Sequence, residues 1–267
     1  AVGLGWQLLR GRVEDRALVC GVVTYFVVAG SGRSVFMRYV LPMVPFLCLA
    51  GARVVAVATE RIRWPWLCLL TAVLAAPTAV STMSHNLIIG RQDTRLEAGA
   101  WIETNIPSKA KIALVGSDYG YPTLRRSEAW MRERLADLRS AGLPAKRLQL
   151  SLETGQDIQP SYDIVQIESG QSASFSSVWT AFDLDRLRSE GIDWVVLQDH
   201  PLAYSRIDAS ITEALKLAAS RVALFDPFVH GAAVPRFDPL DAYYVPIDGF
   251  SAVRQPGPKL EIWHLTR

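Results

Sequence analysis

Apolar residues run together over the first ninety positions and are spaced out after them. Three uncharged runs stand out: 17–30 (ALVCGVVTYFVVAG), 39–52 (YVLPMVPFLCLAGA, continuing past Arg53 to Ala58) and 64–83 (WPWLCLLTAVLAAPTAVSTM). A helix that crosses a bilayer needs about 20 residues, within a working range of about 17–25. The third run meets that length alone. The first two meet it by including flanks such as 31–32 and 35–38, where an arginine can snorkel to the headgroups. None keeps the polar face that a helix of a soluble core shows at helical spacing. The pattern predicts an α-helical transmembrane segment of about three spans over residues 1–90.

From about Asp93 the period changes. Residues 94–105 (TRLEAGAWIETN) carry Leu96, Ala100 and Trp101 on one helical stripe, with Ile106 just beyond and Pro107 as the stop. A strand is expected at 111–116 (KIALVG), then a helix over 127–141 with Ser127 as N-cap and Gly142-Leu143-Pro144 as terminator. Further strands are expected at 162–167, 192–197, 221–225 and 260–265, with helices at 182–190 and 209–220 between them. Strands alternating with helices of this size predict an α/β domain with a mainly parallel sheet over residues 91–267. About 175 residues bury a sufficient core without disulfides. The stretches 169–177 and 228–258, rich in Gly, Pro and Ser, read as long surface excursions.

Charge turns this division into a topology. Residues 1–90 hold eight Arg against three acids (Glu14, Asp15, Glu60) and no Lys, a net of +5. The remainder holds 20 basic residues against 23 acids, a net of −3, and all three cysteines (Cys20, Cys48, Cys68) lie in the first part. These counts argue against a uniform globular domain, a disulfide scaffold and a basic nucleic-acid-binding face. Arg10, Arg12 and Arg16 precede the first run, and Arg61 and Arg63 separate the second from the third. The positive-inside rule then puts the N-terminus and the 60–63 turn in the cytoplasm and everything after Met83 outside. Trp64 and Trp66 sit where an interfacial aromatic belt is expected. The segment has several spans and no cleavage-type ending, so it is no signal peptide. A multi-pass protein of a bacterial inner or plasma membrane, with an extracytoplasmic C-terminal domain, is the expectation.

Candidate chemistry is sparse. No G-x-S-x-G elbow, P-loop, G-x-G-x-x-G or H-E-x-x-H occurs, and the four histidines (His85, His200, His230, His264) lack metal-ligand spacing. No cofactor is evident, and the sequence leaves a metal requirement open. Loops beyond strand ends in α/β sheets commonly hold ligands. Residues 116–122 (GSDYGYP) follow the first strand, which makes Asp118, Tyr119 and Tyr121 candidates for contact with a sugar or another acceptor, against the alternative of an ordinary strand-to-helix turn. Asp199-His200-Pro201 stands in the same relation to the strand at 192–197. Asp183 and Asp185 fit a solvated helix start better than acid/base work. At the outer mouth of the spans, Arg33 and Arg38 lie beside Tyr39 and a Leu41-Pro42…Pro45 kink. An arginine there is either a snorkelling anchor or a partner for a lipid phosphate.

Residues 38–46 (RYVLPMVPF) resemble an R-Y-x-L-P-x-x-P span of polytopic glycosyltransferases of the GT-C type. The relevant branch holds the bacterial families similar to dolichyl-phosphate-mannose–protein mannosyltransferases and to lipid A aminoarabinose transferases. Asp93-Thr94-Arg95, Ala100-Trp101-Ile102 and Asn105-Ile106-Pro107 resemble the D-x-R…A-x-W-I…N-I-P helix that opens their extracytoplasmic domain. Residues 187–197 (LRSEGIDWVVL) resemble a late G-x-D-Y-V-V strand of that domain.

The resemblance implies transfer of a sugar from a polyprenyl-phosphate-linked donor to a protein, lipid or glycan acceptor at the outer membrane face. Basic residues would hold the phosphate; Arg33, Arg38 and Tyr39 are the candidates here. In that family a general base lies in the first extracytoplasmic loop, near the N-terminus. No acid occurs between Asp15 and Glu60, and the chain opens at Ala1. The expectation is therefore the C-terminal portion of such an enzyme, with no catalytic residue of its own and no turnover alone. Alternatives are a membrane-tethered, non-catalytic extracytoplasmic binding or assembly module, and another lipid-carrier protein such as an O-antigen ligase or a flippase.

Overall fold

The computed structural model describes residues 2–31, 37–59, 64–154, 159–168, 179, 181–239 and 244–266. The chain divides into two units, Ala1–Val80 and Ser81–Arg267.

Helices make up the first unit: α1 (Val2–Arg10), α2 (Val13–Gly30), a 3₁₀ turn Met37–Met43, α3 (Val44–Ala58) and α4 (Trp64–Ile89). Pro42 lies inside the 3₁₀ turn and Pro45 in the first turn of α3. A proline at the start of a helix costs nothing, because its missing N–H is an unpaired donor position anyway. The polar link between α2 and α3 is the Asp15 carboxylate, which accepts from Arg12 N at 2.8 Å and pairs with Arg53 Nη2 at 3.1 Å.

Among the described residues, two helical segments, not three, are long and apolar enough to cross a membrane. They are Tyr39–Val57, with a mean hydropathy of 2.0, and the helix starting at Trp64, at 1.7. The reason α2 falls short is its first turn. Glu14, Asp15 and Arg16 occupy it, and the 14 uncharged residues that follow span about 21 Å of helix axis, against a hydrocarbon core of about 30 Å. The 60–63 turn lies outside the described residues.

The second unit is an α/β sandwich. Its strands are β1 (Lys111–Gly116), β2 (Asp163–Glu168), β3 (Trp194–Asp199), β4 (Ala219–Phe225) and β5 (Lys259–Leu265), in the order β2-β1-β3-β5-β4. β1 pairs in parallel with β2 and β3, whereas β5 is antiparallel to both β3 and β4. The sheet is therefore mixed, which corrects the expectation of a mainly parallel one. The last strand returns through the middle of the sheet instead of adding to an edge, and only an antiparallel direction lets it enter there from the 226–258 excursion.

Helix α5 (Thr94–Asn105) has the bounds its pattern predicts, and Asp93 caps it by accepting from Arg95 N at 2.8 Å. Ser127 caps α6 (Glu128–Ser140), and Asp183 caps α8 (Leu184–Ser189), which is shorter than its apolar pattern. Helix α9 covers Ala209–Ala218. Helix α7 (Lys146–Thr154) has no counterpart in the sequence reading. Within 228–258 the structure adds a 3₁₀ turn, Phe250–Ala252, and isolated bridges Phe228–Val253 and Arg236–Asp248; the 169–177 excursion lies outside the described residues.

Alternation in β1 explains why the sheet is covered on both faces. Ala113 and Val115 join a core with Leu187, Val195, Leu215 and Trp263, while Ile112 and Leu114 join another with Ile102, Tyr162, Val196 and Ile262. Tyr162 is fully buried, and its hydroxyl donates to the Ile102 carbonyl at 3.1 Å, tying α5 to the start of β2. Burial raises the Tyr162 phenol above its ordinary range, so it stays a donor.

Ile102→Ala should cost about 2–5 kcal/mol through a cavity beneath α5, while Tyr162→Phe should cost about 1 kcal/mol for one lost hydrogen bond. Denaturant unfolding of the chain in detergent, followed by tryptophan fluorescence, checks that order.

Candidate functional site

The C-terminal ends of β1 and β3 lie side by side and launch the two loops that the sequence singles out. Near the end of β3, Gln198 is fully buried and its carboxamide serves two neighbours. Its Oε1 accepts from Ser117 N at 2.7 Å, and its Nε2 donates to the Tyr244 hydroxyl at 3.3 Å. The Tyr244 hydroxyl is also 2.8 Å from the hydroxyl of buried Ser205. Gly120 is required here for space, because a Cβ on it would overlap the Gln198 carboxamide. Burial pushes the Tyr244 phenol above its ordinary range, against the pull of its hydrogen-bond partners and of the Arg95 charge.

Arg95 joins this network to α5. Its Nε and Nη2 grip both oxygens of Asp93, at 2.9 and 2.6 Å, and Nη1 donates to the Tyr119 carbonyl at 2.8 Å. The guanidinium also lies 5.4 Å from the centroid of the Tyr244 ring. Its bond to Asp93 holds Arg95 protonated more firmly than an isolated guanidinium. The same helix start is tied to the last loop, where Thr94 Oγ1 donates to the Pro258 carbonyl at 2.7 Å and Thr94 N to that of Pro256 at 3.0 Å. Gly257 between them, at φ 107°, has no room for a Cβ against Thr94 and Asp93.

The three candidates in the 116–122 loop have different surroundings. Asp118 is exposed, and its Oδ1 accepts from Gln166 Nε2 at 3.2 Å. Tyr119 is 64% exposed and meets Tyr204 edge-on, with ring centroids 6.4 Å apart. Tyr121 is buried in the core, and its hydroxyl donates to the Ile167 carbonyl at 3.3 Å. An incoming ligand can reach Asp118 and Tyr119 without unpacking the sheet. Reaching Tyr121 requires unpacking.

His200 belongs to the fold. Its ring is 1% exposed and packed among Phe228, Phe237 and Tyr244, with ring centroids 5.6, 4.4 and 4.9 Å away. Nδ1 accepts from Leu202 N at 3.2 Å, which leaves the proton on Nε2, and Nε2 has no hydrogen-bond partner among the described residues. Burial lowers the His200 pKa to about 3, so the ring is neutral near pH 7.

Sequence reasoning missed Arg95, Gln198, Ser205 and Tyr244. A signal existed for two of them. Arg95 stands in the quoted D-T-R segment, and Gln198 directly follows the apolar strand predicted at 192–197, where a buried polar side chain demands a partner. Ser205 and Tyr244 lie in irregular segments and carry none.

In the first unit, Arg38 and Tyr39 fall on the 3₁₀ turn that leads into α3, and Arg33 lies outside the described residues. Tyr39 is 39% exposed. A hollow of about 410 Å³ is lined by Ala17, Leu18, Gly21, Val22 and Tyr25 of α2 and by Pro42, Met43 and Phe46. Among the described residues no group of three or more His, Cys, Asp or Glu side chains could hold a metal ion, and the three cysteines are free.

Because His200 is neutral in the fold and titrates near pH 6.5 when unfolded, the unfolded chain takes up a proton that the folded chain refuses. Its contribution is complete above about pH 6.5 and declines by up to about 1.4 kcal/mol per pH unit as pH falls toward 3. In denaturant titrations between about pH 4 and 6.5, His200→Phe should flatten this acid limb, whatever its effect at neutral pH. The chain matches no family model, no curated protein and no solved structure, so its functional reading stands on the geometry and chemistry described above.

Proposed function

We propose that the chain serves a membrane glycosyltransferase that moves a sugar from a polyprenyl-phosphate-linked donor to an acceptor at the outer membrane face. The observation that carries this reading is the 3₁₀ turn Met37–Met43. It places Arg38 and Tyr39 at the head of a membrane-length apolar helix and contributes Pro42 and Met43 to an apolar hollow beside it. A guanidinium at the head of such a helix suits a phosphate, and a hollow lined by aliphatic and aromatic side chains suits the lipid that carries it. Transfer of a phosphate-linked sugar requires stabilisation of the charge developing on the leaving phosphate. In this reading Arg38 supplies the opposing positive charge, with Arg33 near it in sequence.

The membrane setting belongs to the same proposal. Only Ile88 of the 26-residue α4 is buried among its described residues, while Leu69, Val73, Leu74, Val80, Met83 and Leu87 are each at least half exposed. Apolar surface of that extent needs a partner, and a bilayer provides one along the whole helix. With Arg61 and Arg63 on the cytoplasmic side, a crossing by the helix that starts at Trp64 carries the α/β unit outside. There the exposed Asp118 and Tyr119 are the candidates to meet an acceptor.

One observation favours the second reading, a tethered binding module without catalysis. Gln198, Ser205, Tyr244, Asp93 and Arg95 bond to one another or to backbone at the sheet end, which marks them as structural. The experiment that decides is transfer of radiolabelled sugar from a polyprenyl phosphate by membranes carrying the gene product that contains this chain. Arg38→Ala should lower turnover by about 100-fold or more, as expected for losing a donor to developing charge, while membrane abundance is unchanged. Unchanged turnover removes the phosphate-binding role, and absence of any transfer by the unaltered protein favours the binding module.

A further inference from the structure

A groove runs along α6 at the opposite end of β2 from the loops described above. Two adjoining hollows form it, of about 330 and about 280 Å³, and both are lined by Ala129 and Asp163. The groove exists because α6 stands away from the sheet. None of its residues is fully buried, and its anchor is the Trp130 indole, which donates from Nε1 to the Ile164 carbonyl at 2.6 Å. The larger hollow has the beginning of β2 as its floor, α6 as one wall and α8 as the other.

Its lining selects a class of ligand by elimination. Seven of its thirteen lining residues are charged, which excludes an apolar chain. The cations Lys111, Arg134 and Arg186 are outnumbered by the four carboxylates, among them Glu133, Asp137 and Glu190 on the solvent side, so a polyanion such as a nucleic acid gains nothing there. A peptide adding as a strand would need the free edge of β2. Bridges from Arg126 to Tyr162 and from Trp179 to Ile167 flank that edge, and the Ile164 carbonyl between them is taken by the Trp130 indole.

What remains is a neutral chain that donates and accepts hydrogen bonds at close intervals. Each hydroxyl of a sugar does both, and interleaved carboxylates and cations answer it. Arg126 stacks on the Trp130 ring at 4.3 Å, while Trp179 is buried under Arg186 at 3.8 Å. The partly exposed Trp130 is therefore the aromatic surface a sugar can touch. We propose that the α6 groove binds a neutral oligosaccharide of two or three residues. This goes beyond the transferase reading and holds whether or not the chain takes part in sugar transfer.

Saturation-transfer NMR and calorimetry on the detergent-solubilised full chain test it, with an N-acetylglucosamine trisaccharide and a mannose trisaccharide as probes. At least one should bind with a Kd of roughly 1 mM or tighter. The double variant Asp137→Asn, Glu190→Gln, both positions exposed, should weaken it about tenfold or more through the loss of hydrogen bonds to charged acceptors. Trp130→Phe should also weaken binding and reduce the ligand-induced fluorescence change. Failure of both trisaccharides to bind, or binding that these variants leave unchanged, overturns the proposal. Loss of transfer in Arg38→Ala leaves groove binding intact, so the two readings fail separately.

Discussion

The carboxamide of Gln198 is the constraint on which the loop end of the sheet depends. A buried amide left unpaired costs roughly 1–3 kcal/mol. Gln198 avoids that cost by accepting from the backbone of the β1 loop and donating to Tyr244. Those bonds fix three things together: the path of residues 117–120, the seat of Tyr244, and through it Ser205. Asp93 and Arg95 extend the set to the start of α5. Polar networks of this kind are costly when half made and rigid when complete. The loop carrying Asp118 and Tyr119 is therefore held before any ligand arrives, which lowers the ordering cost of binding there.

This arrangement shows what the sequence made legible and what it did not. β1 and α5 have the bounds their patterns predict, because alternation buried on both faces and a capped, proline-stopped helix are local signals. Helix α7 was missed for an equally local reason. Leu148, Leu150 and Leu152 recur every second residue, the period of a strand, yet they lie on a helix that leaves them half-buried or exposed. The antiparallel insertion of β5 between β3 and β4 had no local signal at all. Its apolar residues fit any central strand, and direction is set by where the preceding excursion leaves the chain. The polar network was hidden because its members are separated by up to about 150 positions in sequence and become neighbours only once the sheet forms. The helices of membrane length were legible as apolar runs, whereas α2 falls short because its first turn is charged.

That charge is itself informative. Asp15 is 8% exposed in a unit whose surface is largely apolar, and Arg53 reaches it from α3. A carboxylate in such surroundings needs a permanent counter-charge, and a guanidinium provides one at any relevant pH. The pair lies near the N-terminal end of α2 and the C-terminal end of α3. It thereby fixes the register of two helices whose apolar faces alone would allow them to slide. The same register leaves Pro42 and Met43 facing Leu18 and Val22 across the hollow. The ion pair thus sets the helix register next to the apolar hollow that begins at Ala17 and Leu18.

Within the α/β unit the two ends of the sheet follow opposite rules, and the difference bears on where a ligand can act. At the loop end, most polar groups near the strands are bonded to one another, so a ligand there is limited to the exposed Asp118 and Tyr119. Along α6 the helix stands off the sheet, and charged side chains of both signs face an open groove instead of a core. Folding accounts for the first set, since each member closes a bond that the buried backbone or a buried partner requires. It accounts for part of the second, where Asp163 bonds the Ser127 hydroxyl, Lys111 the Glu190 carbonyl, and Arg186 covers Trp179, but not for the exposed Glu133 and Asp137. A helix that packed its apolar residues closely on β2 would bury more surface, at about 25 cal/mol per Å², than one tied to it through Ser127 and Trp130. Stability forgone at a concave, charged surface is what a binding function would explain, and the groove meets that description more fully than the loop end does.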